Sequence, residues 1–186
     1  MDNLDPALPP QKTLSSRAIT AGLYIAGAIN LIALIVYVCG FNETLMTNKP
    51  LSWLNNLLSV GITFYFIHMA IRMFRDQDNG GYLSVGQGMG LGTLAGLVSG
   101  IVTAVWIVVF MTFIAPDLAE VIKRITLQQM VEAGQSEDQA EQTMDKIAFM
   151  FSPVTVAVFA ALAGVFIGFL SGLVSGLLQK KDRPYA

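Results

Sequence analysis

Apolar residues in this chain are gathered into four long blocks, and nearly every charged side chain falls between those blocks or at the two ends. A soluble core mixes apolar and polar residues at helix or strand period. Apolar runs of about 20 residues with the charges pushed outside them are the pattern of helices that cross a bilayer. Of the 186 residues 54% are hydrophobic and 13% charged, where a soluble domain has about a quarter charged. The expected fold class is all-α: a polytopic membrane protein with four transmembrane helices.

The expected spans are residues 18–39, 51–71, 89–115 and 154–178. The first covers roughly 33 Å as a helix, enough for a hydrocarbon core of about 30 Å. It is longer than a signal-peptide core and no small-x-small cleavage site follows it, so it reads as an uncleaved span. The second begins after Pro50 and places Trp53 at an interface. The third is longer than a bilayer requires and should tilt or protrude. Residues 1–17, with Pro9 and Pro10, read as a disordered polar tail, and residues 179–186 as a basic tail.

Lysine and arginine counts set the expected orientation. Lys12, Arg17, Arg72, Arg75, Lys180, Lys181 and Arg183 fall on one side; Lys49, Lys123, Arg124 and Lys146 fall on the other, beside seven acids of the long third loop. Both termini are therefore expected on the cytoplasmic side and the loop 116–152 outside, with the bacterial inner membrane as the location. That loop has helical period in Leu118, Val121, Ile122 and Ile125, and again in Ala140, Met144, Ile147 and Phe151. Asp117 is positioned to cap the first helix, Gly134 to stop it, and Ser136 with Gln139 to open a second. These signs predict an extramembrane helical hairpin, or two long extensions of the third and fourth spans. The hairpin is either a packed stalk or a surface for a protein partner.

Glycine recurs at every fourth position in two spans: Gly88, Gly92, Gly96 and Gly100, then Gly164, Gly168, Gly172 and Gly176. Residues four apart share a helix face. Between helices in lipid, close backbone approach replaces the hydrophobic drive. This glycine zipper predicts tight packing, either between the third and fourth spans or between copies in a homo-oligomer. The first span has a weaker version in Gly22 and Ala26, with Asn30 next in phase and able to hydrogen-bond across the contact. Asn55, Ser59 and Thr63 form a polar stripe on the second span, suited to a helix contact or a small wet cavity. His68, the one histidine, reads as a neutral hydrogen-bonded residue at a helix contact.

No Asp, Glu, Lys or Arg lies inside an expected span. Proton-coupled transporters and intramembrane hydrolases generally need such groups, so no catalytic residue is assigned. One cysteine and one histidine cannot form a metal cluster, and no metal or cofactor is expected. A net charge of −2 gives no nucleic-acid footprint. Gly90-Leu91-Gly92-Thr93-Leu94-Ala95 matches a dinucleotide fingerprint in letters only, because the strand that fingerprint needs is missing.

Three stretches carry a likeness to a known family: Arg75-Asp76 followed by Gly80-Gly81-Tyr82-Leu83-Ser84 and Gln87-Gly88; Pro116-Asp117; and Ser152-Pro153 before the glycine-rich last span. In these the chain resembles small bacterial membrane proteins grouped as domain of unknown function 4199, over about residues 18–181. The resemblance implies an architecture and no assigned activity. The leading expectation is a non-enzymatic structural, accessory or assembly subunit of the lipid bilayer. A small oligomeric channel or transporter comes second and a membrane enzyme third.

Overall fold

A computed structural model describes residues 12–182. The N-terminal residues 1–11 and the tail 183–186, including Arg183, lie outside the described residues. Helix α1 spans Leu14–Val38, the short α2 Asn42–Thr47, and α3 Lys49–Met73, which runs on through a π-helical turn at Phe74–Asp78. Helix α4 spans Val85–Val109 and widens into a π-helical turn at Phe110–Ile114. Then come α5 (Leu118–Glu132), α6 (Glu137–Ile147) with a 3-10 turn to Phe151, and α7 (Pro153–Gln179). Four of these helical stretches, Leu14–Val38, Lys49–Asp78, Val85–Ile114 and Pro153–Gln179, are long and apolar enough to cross a membrane. Among the described residues no strand forms, only an isolated antiparallel bridge between Leu83 and Lys181.

The helices start earlier than hydropathy suggests, because capping residues rather than the first apolar residue set their ends. Thr13 caps α1 by accepting from the Ser16 N–H, so Arg17 belongs to a helix and not to a disordered tail. Asn48 caps α3 and lets Pro50 sit in its first turn, where its missing N–H costs nothing. Ser84 and Gln87 form a reciprocal capping box that opens α4 at Val85 rather than near Met89. The other end of that span stops at Pro116. Just before it the Ala115 N–H reaches back five residues to the Phe110 carbonyl at 2.8 Å, which makes the last turn a π-turn.

The third loop folds as a helical hairpin of two separate helices, and not as extensions of α4 and α7. Gly134, at φ +97°, ends α5 with paired bonds from Gly134 N–H to Val131 and from Gln135 N–H to Met130, the arrangement that a left-handed residue after a helix permits. Ser136 opens α6 by accepting from the Gln139 N–H. Asp117 stands at the start of α5 but makes no side-chain cap; its backbone is helical, which turns the carboxylate away from the free N–H groups. The hairpin is tied back to α2 by Arg124 Nη2 to Glu43 Oε1 at 2.6 Å and by Gln129 to the Met46 carbonyl.

Helix α4 lies antiparallel against α7, α1 packs on α4, and α3 packs on α7 and α1. Burial is uneven along the bundle. The buried residues of α1 run from Ala18 to Ala26, those of α3 from Thr63 to Ile71, and those of α4 from Gly88 to Gly100. All but one of α7's run from Gly168 to Gln179. These segments all belong to the half of the bundle that contains Arg17. The hairpin half holds a smaller cluster, Phe110, Met111 and Ala115, where the Tyr37 ring meets Phe110 edge-on at 5.1 Å and its hydroxyl donates to the Ile114 carbonyl. The first half of α3 stands off, with Leu51, Trp53, Leu54, Leu57 and Leu58 exposed.

Candidate functional site

The base of the bundle is backbone on backbone. A Cβ added to Gly92 would lie 2.5 Å from the Gly172 Cα, and one on Gly88 2.6 Å from the Gly176 Cα. One on Gly168 would lie 2.7 Å from the Gly96 Cα, and one on Gly164 3.2 Å from the Gly100 Cα. Gly100 itself rests against Ala161. The two glycine rows therefore face each other within one chain. Gly22 of α1 closes on the Ala95 carbonyl of α4 in the same manner.

Beside this base runs a polar seam between α3 and α7. His68 Nδ1 lies 3.3 Å from Ser175 Oγ and 3.0 Å from Gln179 Nε2, and Gln179 Nε2 also donates to the His68 carbonyl at 3.1 Å. Phe64 stacks on the imidazole, with centroids 5.7 Å apart. Ser175 and Gln179 were not among the residues expected from sequence. Their spacing with Ser171 is a signal, since all three recur every fourth position directly beside the glycine row. At the same end Arg17 Nε pairs with Asp78 Oδ2 at 2.6 Å, both side chains nearly buried, and Arg17 Nη2 donates to Gln77. The Lys12 N–H donates to the other Asp78 oxygen at 2.8 Å.

In the hairpin half the helices part around a cavity of about 440 Å³. Asn30 of α1, Asn55 and Ser59 of α3, and Thr103 of α4 line it, with Trp106, Phe110 and Met111 among the apolar walls. Asn30, Asn55 and Ser59 thus converge on one space, whereas His68 lies apart in the seam below. Among the described residues Asn30 makes no bond across a helix contact; it lines the opening that α3 leaves. The Ser59 and Thr63 hydroxyls turn back to the carbonyls of Asn55 and Ser59, the usual solution for a hydroxyl on an apolar helix. The side-chain amides of Asn30 and Asn55 have no hydrogen-bond partner among the described residues. No group of three His, Cys, Asp or Glu suited to a metal occurs among those residues.

A four-span helical membrane protein results, sealed by backbone contact in one half and open around polar amides in the other. The chain belongs to the family of proteins of unknown function DUF4199, whose pattern matches residues 20–181. No curated protein and no solved structure matches it.

Proposed function

We propose that the protein is a non-enzymatic accessory or assembly subunit of the bacterial cytoplasmic membrane, acting outside that membrane through its hairpin on a protein partner. The observation that carries this reading is the surface of α6. Its apolar side is used internally, where Ala140 and Met144 are buried along with Ile125 of α5. Its outer side exposes Glu137, Asp138, Glu141 and Asp145. A firmly held acidic platform suits a partner with a basic surface, where complementary charge sets encounter rate and orientation. The channel reading has less support, because the glycine rows it would need between copies are occupied within the chain.

A photo-crosslinking residue at Glu141, expressed in native membranes, is expected to trap one discrete partner. Lysine at Asp138 and Asp145 should remove the adduct while the membrane domain remains folded. Adducts that persist through this charge reversal would end the reading. Orientation rests on the lysine and arginine distribution, with Arg17, Arg72, Arg75, Lys180 and Lys181 facing the cytoplasm. Reporters fused at Gln135 and at the C-terminus should therefore report opposite sides, with Gln135 outside; the same side for both would break the assignment.

A further inference from the structure

We propose that the cavity between α1, α3 and α4 is a binding site for an uncharged lipophile bearing a carbonyl or hydroxyl group, which enters from the bilayer. This does not depend on the hairpin having a partner. Its volume, about 440 Å³, lies within the ~300–1,000 Å³ range of small-molecule sites. None of its lining residues is charged, so a ligand carrying net charge would be left uncompensated.

The walls are apolar and aromatic, yet the Asn30 and Asn55 amides and the Thr103 hydroxyl open onto the same space. An amide unpaired in hydrocarbon costs several kcal/mol, of order 2–7, so the site favours an occupant with a group that accepts from the amide N–H groups, as a carbonyl or a hydroxyl does. Depth narrows the class. Asn30 sits eight residues before the end of α1 at Val38, roughly 12 Å along the helix at 1.5 Å per residue. That is close to the middle of a core about 30 Å thick, while Asn42, Ser52, Leu118 and Ile122 line the outer mouth of the same space. A phospholipid keeps its charged headgroup at the surface and cannot bring it to the inner, Asn30 end of the space. A neutral lipophile can place its carbonyl or hydroxyl there with its chain along Trp106, Ile107 and Met111. Entry is open beside α3: a second apolar groove of about 340 Å³ borders its other flank and shares Ile32, Val36, Leu45 and Asn55.

The test places the full chain in vesicles of phosphatidylethanolamine and phosphatidylglycerol with a diazirine-labelled monoacylglycerol. A parallel sample carries the same labelled chain on phosphatidylcholine. After irradiation, labelled positions are mapped by mass spectrometry. Labelling by the monoacylglycerol is expected to concentrate on residues 29–36, 55–59 and 103–111, at least fivefold above the phosphatidylcholine sample. Asn30→Leu with Asn55→Leu should abolish the enrichment with the helical content unchanged. Ala33→Trp, which fills the space, should abolish it independently. Equal labelling by both probes, labelling by phosphatidylcholine alone, or enrichment that survives both variants would each overturn the proposal and leave water or bulk lipid as the occupant.

Discussion

Gly92→Ala is expected to cost about 3 kcal/mol or more of stability, measured by thermal or denaturant unfolding in detergent. Gly90→Ala, two residues away on the same helix, should gain about 0.5–1 kcal/mol. Both replacements add one methyl group and raise helix propensity equally. They differ in what that methyl meets. At Gly90 nothing lies within 4 Å, whereas at Gly92 the new atom would sit 2.5 Å from the Gly172 Cα and even closer to the Gly168 carbonyl. Overpacking against side chains typically costs about 1–3 kcal/mol because rotamers can shift. Here the neighbours are backbone atoms, so α4 and α7 must separate, and the loss extends along the whole row. Gly168→Leu should be more damaging still and yield no stably folded monomer. A neutral result at Gly92 would show that the two helices do not meet through these faces.

The second large effect concerns the ion pair at the base. Arg17→Met or Asp78→Asn should each destabilise by about 2–3 kcal/mol. That is less than the ~3–5 of a fully buried pair, because the site borders water. The side chains are 13% and 3% exposed, so removing one partner leaves the other charge shielded and uncompensated. The double variant Arg17→Met/Asp78→Asn should lose clearly less than the sum of the singles. The pair holds the first turn of α1 to the π-turn after α3, and hydrogen exchange at Thr13–Ala18 should rise in either single variant. Additive losses would mean that the 2.6 Å contact contributes nothing to the fold.

Different parts of this architecture could be read from the chain to different degrees, for physical reasons. The spans were legible because lipid tolerates few charges in a helix. The glycine rows were legible because a period of four is a local property of one helix. The Arg17–Asp78 pair was not, since its members are 61 residues apart and each alone looks like an ordinary interfacial charge. Asn30, Asn55 and Ser59 were visible as polar residues on apolar helices. Their convergence depends on α3 diverging from its neighbours beyond Thr63, which no local pattern records. Gln179 looked like the start of a tail because hydropathy ends there, while the helix takes in this one further residue, whose side chain reaches His68.

The glycine contact also fixes an order of events during synthesis. Gly92 and Gly168 are separated by 76 positions, and chains grow at about 5–20 residues per second. Helix α4 therefore waits roughly 4–15 s in the bilayer before the partner for its bare face has been made. The face beside the glycine row is already covered by α1 through Gly22 and Ala95, and α5 and α6 emerge in the interval. The closest contact in the finished protein is thus the last to form. Until then the nascent chain presents an unfilled glycine groove to every other helix in the membrane, and biogenesis is most exposed to mispairing in that window.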